Sequence, residues 1–156
     1  MKKTFLLTIT LLKLLVGFTQ EQKDYDLIIV IDESVKTSVA NLTITVENSE
    51  GDFSIFPRYH AGSLRMSQSI FDKIISEDTK SVKITFMTNY FFKGKLNQRF
   101  YEIPYNKHWL KEDFNVLTIY NLTKAKYRKK YSPVDQSKNY SFSIDFGWYS
   151  ILNLKK

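Results

Sequence analysis

Between residues 124 and 131 the chain reads KAKYRKKY, so Lys124, Lys126, Arg128, Lys129 and Lys130 follow one another with no acid between them. Cations held this close repel one another and attract anions, and the interleaved Tyr127 and Tyr131 add flat, amphipathic surface. The candidate binding residues of this stretch are therefore Lys126, Tyr127, Arg128, Lys129, Lys130 and Tyr131. Their chemistry suits lipid A phosphates, an acidic polysaccharide or the acidic patch of a protein partner. The competing reading is a wet strand edge whose lysines discourage sheet-to-sheet aggregation. Basic residues alternating with tyrosine also occur in single-strand nucleic-acid binders. This chain has no RNP-like signature and no helix-turn-helix pattern, so nucleic acid is not an expected partner.

A second concentration of side chains lies in RFYEIPYNKHWL, residues 99–110, where Tyr101, Tyr105 and Trp109 surround Glu102, Asn106 and His108. Rings that cover the C–H faces of a sugar, beside groups that bond its hydroxyls, make a carbohydrate-binding surface. The same residues also fit a strand in which Tyr101 and Ile103 face a core, with Trp109 and Leu110 plugging its end. Trp148 and Tyr149 extend either reading.

Catalytic chemistry finds little support. AGSLR around Ser63 lacks the second glycine of a nucleophile elbow, and His60 and His108 stand 48 positions apart with no partner at metal-ligand spacing. Asp24, Asp26, Asp32 and Glu33 crowd the first strand and could take Ca²⁺, but no loop of EF-hand spacing surrounds them. A glycan hydrolase or inhibitor-like domain, its carboxylates paired only by the fold, is the remaining alternative. No catalytic residue, metal ligand or cofactor is assigned.

These residues must be positioned by a chain of 156 residues with no cysteine and a formal net charge of +7. Residues 1–19 have the layout of a secretory signal peptide: Lys2 and Lys3, an apolar stretch from Phe5 to Val16 interrupted by Lys13, then Gly17 and Thr19 at the positions a peptidase reads. The stretch is too short to span a bilayer. Its removal takes three lysines and no acid, leaving 20 basic and 16 acidic side chains and a net charge of +4. The lack of cysteine excludes disulfides, thiol chemistry and an N-terminal lipidated cysteine. An exported, disulfide-free chain suggests a bacterial periplasm or exterior, in which case the Asn-x-Ser/Thr triplets at Asn41, Asn121 and Asn139 are coincidental.

From residue 20 onward the pattern is β. DLIIVID (26–32) is a continuous apolar run, and ANLTITVEN (40–48) alternates Leu42, Ile44 and Val46 against Thr43 and Thr45. NSEGD turns the chain into FSIF, which Pro57 ends. SVKITFMTNYFF (81–92) alternates Val82, Ile84 and Phe86 against Lys83, Thr85 and Met87, and KGK at 93–95 returns it into NQRFYEI, which Pro104 closes. FNVLTIYN (114–121) and NYSFSIDF (139–146) complete the strands, placing residues 124–131 within a hairpin whose alternation groups Tyr127, Lys129 and Tyr131 on one face and Lys126, Arg128 and Lys130 on the other. Helical spacing of Ile70, Phe71, Ile74 and Ile75 predicts one short helix over 67–76, with Ser67 as N-cap and Met66 and Phe71 as its staple. The expected fold of residues 20–156 is a single, mainly all-β domain. Its architecture is an antiparallel β-sandwich of seven to eight strands, immunoglobulin-like or transthyretin-like, with a closed barrel as the competitor. The expected function is a non-enzymatic binding or structural module of the cell envelope, secreted or periplasmic, contacting an anionic glycan, lipid or protein through the basic hairpin. The carbohydrate-binding module is its first alternative.

Overall fold

Alternating apolar residues become strands wherever both faces of the pleat can be satisfied, one by a core and one by water. The computed structural model describes residues 21–147, 149–152 and 154. The expected leader over residues 1–19, and Trp148, lie outside the described residues.

The chain runs through β1 (Gln22–Ile31), β2 (Ser34–Lys36), β3 (Ala40–Asn48), β4 (Phe53–Ile55), β5 (Arg58–His60), β6 (Ser63–Ser67) and helix α1 (Gln68–Ile75). It continues through β7 (Thr79–Phe92), β8 (Lys95–Tyr105), a 3-10 helix (Lys107–Lys111), β9 (Phe114–Asn121), helix α2 (Ala125–Arg128), β10 (Tyr140–Phe146) and β11 (Tyr149–Leu152). Two sheets result. One has the order β11-β10-β9-β1-β6-β5 with β2 also on β1, and the other the order β4-β3-β7-β8. The all-β sandwich is thus the observed fold, with α1 as its predicted short helix.

Three details differ from expectation. The described strands number eleven because β2, β5, β6 and β11, at three to five residues each, are too short to show a clear period, whereas β4 is the strand expected from FSIF. The sandwich is not wholly antiparallel: β1 pairs with β9 in parallel register from Asp26–Phe114 to Ile31–Ile119, while β6 and then β2 occupy its other edge antiparallel. Pro104 does not close β8, which runs on to Tyr105. Proline is tolerated there because β8 is an edge strand, where no neighbour requires the missing N–H.

The core lies between the sheets. Leu27, Ile29 and Ile31 of β1, Leu117 and Ile119 of β9 and Ile144 of β10 face Leu42, Ile44 and Val46 of β3, Val82, Ile84 and Phe86 of β7 and Ile103 of β8. Phe71 and Ile74 of α1 close one end. Ser67 does stand at the N-cap, but its hydroxyl meets Ser69 rather than a backbone N–H.

Polar ties cross the same interface. Tyr101 Oη donates to Asn121 Oδ1 at 3.1 Å, and Tyr105 Oη to Asn115 Oδ1 at 2.8 Å. Tyr140 Oη accepts from Glu102 N at 2.7 Å and donates to Glu102 O at 2.8 Å, which satisfies two backbone groups on the outer edge of β8. These hydroxyls fix how the two layers sit against each other.

Candidate anion-binding end

The local geometry begins at the β1–β2 hairpin, whose loop is two residues long because Ile31 pairs directly with Ser34. Two-residue hairpin loops favour left-handed backbone at both central positions, a role usually given to Asn and Gly. Here Asp32 and Glu33 take it, at φ 51° and 71°. Their side chains hold the turn in place. Asp32 accepts from Asn121 N at 2.9 Å and Asn121 Nδ2 at 2.7 Å and pairs with Lys124 Nζ at 3.0 Å, while Glu33 accepts from Lys126 Nζ at 2.7 Å.

The electrostatics follow from these partners. Burial raises the Asp32 carboxyl, but hydrogen bonds from Asn121 and Lys124 outweigh it and hold the group below its ordinary range. Lys126 holds Glu33 down in the same way, and Glu33 in turn raises Lys126. An ionised carboxylate already supplied with three donors is poorly placed to take a proton from a substrate. It serves better as an anchor for the segment that carries Lys124.

That segment is where the structure departs most from the expected hairpin. Residues 125–128 form the short helix α2, and Tyr131 makes only an isolated bridge to Leu154. Tyr127, Lys129 and Tyr131 therefore do not share a strand face, nor do Lys126, Arg128 and Lys130. A spacing of four places two side chains together in a helix as well as in a strand, and here the helix is realised. Tyr127 and Tyr131 are buried, Tyr131 stacking on Tyr120 at 4.1 Å between ring centroids, in a small cluster with Leu122. The Tyr127 hydroxyl lies close enough to Glu33 and Lys126 to influence both, yet makes no hydrogen bond of normal geometry.

The cations stay outside. Lys124, Lys126, Arg128, Lys129 and Lys130 are all exposed. Lys126 and Lys130 lie over the Tyr127 and Tyr131 rings at 4.6 and 5.3 Å. The tyrosines thus act as the floor on which the cations stand, and are unavailable to stack on a ligand.

Facing the β1–β2 turn is the stem of the β7–β8 hairpin, and between them lies an open cleft of about 640 Å³. Asp32, Lys36, Tyr90, Arg99, Asn121 and Lys124 are among its lining residues. Arg99 lies over the Tyr90 ring at 5.0 Å and close to the Tyr101 hydroxyl. With Lys93 and Lys95 at the hairpin's tip, this end of the sandwich gathers nine cations (Lys36, Lys93, Lys95, Arg99, Lys124, Lys126, Arg128, Lys129 and Lys130) beside the acids Asp32 and Glu33, and the loop that returns to β10 adds Asp135 and Lys138. At the opposite end another open cleft is lined by Glu50, Asp52, Asp72 and Asp78 with Lys73. The molecule is electrically lopsided along its strands.

The 99–110 segment is mostly interior. Tyr101 and Tyr105 are 1% and 4% exposed, and Tyr105, Tyr25 and the Trp109 carbonyl converge on the fully buried Asn115. Asn115 Nδ2 also bonds Tyr25 Oη. Burial pushes the Tyr25 hydroxyl up to about 12 and raises Tyr105 as well. Trp109 is half-buried, edge-on to Tyr105 and stacked near Phe146. It and exposed His108 border an open cleft of about 550 Å³, but Tyr101 and Tyr105 present no face to a sugar. Lys107 is occupied in capping the carbonyls of Ser76, Glu77 and Thr79 after α1.

Of the remaining sequence candidates, His60 is exposed on β5, and Asp24 is paired with Arg65 at 2.9 Å and hydrogen-bonded to Ser63. Asn121 is buried, so its triplet is no surface marker. Among the described residues no cluster of three His, Asp or Glu side chains converges as a metal site. Sequence reasoning missed Lys36, Arg99 and Asn121 as members of one end. The signal available was the two-residue gap, Asp32-Glu33, between IIVI and SVK. No protein-family model, no curated protein and no solved structure matches this chain.

Proposed function

We propose that the protein is an exported, non-catalytic binding module of the cell envelope that attaches to an anionic surface by its basic end. The observation that carries this reading is the gathering of cations from three separated parts of the sequence around one end, where Asp32 and Glu33 of the β1–β2 turn are paired with Lys124 and Lys126. A strand edge protected against aggregation needs one or two lysines on that strand. It does not need the β1–β2 hairpin, the β7–β8 hairpin and the α2 segment to converge. Attachment of this kind is cooperative among charges and screened over about 8 Å at physiological salt, so it is firm at low ionic strength and poorly selective.

The test is binding to an immobilised acidic polysaccharide and to vesicles containing anionic lipid. Changing Lys126, Arg128 and Lys130 to glutamine weakens binding by roughly ten- to a hundredfold. Changing Lys73, Lys80 and Lys83, which lie away from this end, leaves it within about twofold. Equal losses in the two variants refute the assignment of the basic end.

A further inference from the structure

The β7–β8 hairpin outruns its sheet. β3 accompanies β7 only as far as Met87, whereas β7 and β8 stay paired to Phe92 and Lys95. Beyond Met87 they form a two-stranded ribbon with no third strand among the described residues. A tight turn closes it at Lys93 and Gly94, both left-handed at φ 51° and 73°. Register and pleat then fix which side chains share a face. Phe86 and Tyr101 point into the core, so Phe91 and its partner Leu96, with Phe100 further back, stand on the outer face.

Those three side chains are in water, Phe91 at 77%, Leu96 at 58% and Phe100 at 52% exposure. Ribbons normally conceal or charge such positions, because exposed apolar strands aggregate. Here the charges are adjacent instead of substituted: Lys93 in the turn, Lys95 beside it and Arg99 on the opposite face. An apolar face backed by cations at its own rim is the arrangement of elements that lie in the boundary between lipid headgroups and acyl chains. Long basic side chains reach from that depth to the phosphates.

We propose that this ribbon is an insertion finger: Phe91 and Leu96 enter the interface of an anionic bilayer while Lys93, Lys95 and Arg99 engage phosphates. The inference rests on the basic end being the attachment end and specifies its target as lipid. Two strands about 4.8 Å apart offer a strip far smaller than the ~800 Å² per partner of a stable protein interface. An acidic polysaccharide uses ring faces such as that of Phe91, but gives no reason to keep the aliphatic Leu96 exposed beside it. The depth fits as well. Phe91 and Leu96 sit one rung behind the turn-closing pair, and an interfacial element penetrates about 5–10 Å.

The experiment compares protein recovered after export with its Phe91→Ser/Leu96→Ser variant. Both residues are exposed, so native-like circular dichroism and melting are expected. Sedimentation with phosphatidylcholine–phosphatidylglycerol vesicles is read beside retention on heparin. The proposal expects at least tenfold weaker vesicle binding with heparin retention unchanged, and for Phe91→Trp a blue shift of emission, relative to unsubstituted protein, with vesicles and not with heparin. Unchanged vesicle affinity in the double variant, with salt-sensitive binding intact, overturns the finger and leaves the basic end standing. If the unsubstituted protein binds neither vesicles nor heparin, both readings fail. Concentration-dependent dimerisation that the double variant abolishes, without loss of vesicle binding, overturns the finger in favour of edge pairing between copies.

Discussion

Replacing Asp32 by alanine separates the role of this residue in the fold from its effect on the surface charge. The carboxylate is 13% exposed and accepts two hydrogen bonds from Asn121 besides the ion pair with Lys124. A hydrogen bond to a charged group contributes about 1.5–3 kcal/mol, and the lower figure suits a site at the rim of a cleft, giving about 3 kcal/mol for the two. Lys124 is half exposed, so its pairing adds at most about 0.5 kcal/mol. Alanine at φ 51° costs about a further 1 kcal/mol. Asp32→Ala is therefore expected to lose about 4 kcal/mol, Asp32→Gly about 3, and Asp32→Asn about 1, because asparagine tolerates the left-handed turn and still accepts from Asn121 N. In urea unfolding followed by circular dichroism this is a lower midpoint with an unchanged slope, and in heating a fall of roughly 12 °C for alanine. The pH dependence has a definite sign. Because the folded carboxyl titrates below its ordinary value of 3.8, its stabilisation is full above that pH and is lost as pH falls through the depressed folded value. The gap between native and Asp32→Ala protein should be widest at neutral pH and close in acid. Anion binding should move the other way, since the substitution removes an acid from the basic end. An alanine variant within 1 kcal/mol of the native protein, or asparagine as harmful as alanine, refutes the clamp.

Two further outcomes follow from buried polar groups. Ser141 Oγ is fully buried with no hydrogen-bond partner among the described residues, so Ser141→Ala should be neutral or stabilising by up to about 1 kcal/mol in the same urea assay; a loss above that would mean the hydroxyl is satisfied after all. Tyr25 is pushed up to about 12 by burial, so the stability of its neutral form is complete below the ordinary value of 10.0 and lost as pH rises through that value toward 12. Phenolate absorbance and circular dichroism should then change together over that range, and full ionisation of all ten tyrosines with the fold intact would contradict the buried Asn115 network.

The core was legible because strict alternation admits one reading: Leu42, Ile44 and Val46, and Val82, Ile84 and Phe86, are all buried. KYRKKY was not, since a spacing of four between Tyr127 and Tyr131 satisfies a strand and a helix equally and only packing on Tyr120 decides. The Asp32-Glu33 turn lacks the glycine or asparagine that would announce it. Its left-handed backbone is held by Asn121, Lys124 and Lys126, about 90 positions away, and no local window contains that information. Likewise Tyr90-Phe91-Phe92 reads as ordinary strand. That β3 stops short and leaves Phe91 uncovered is a tertiary fact.

Lysine footprinting tests the assignment of the basic end most directly, because it needs no substitution. The protein is acetylated free in solution and again while bound to anionic vesicles or polysaccharide, and each modified lysine is quantified by mass spectrometry. Protection of Lys124, Lys126, Lys129 and Lys130 on binding, with Lys73, Lys80 and Lys111 still reactive, is the predicted result. Protection spread evenly over the surface, or centred on Lys73 and Lys80, would contradict attachment through that end.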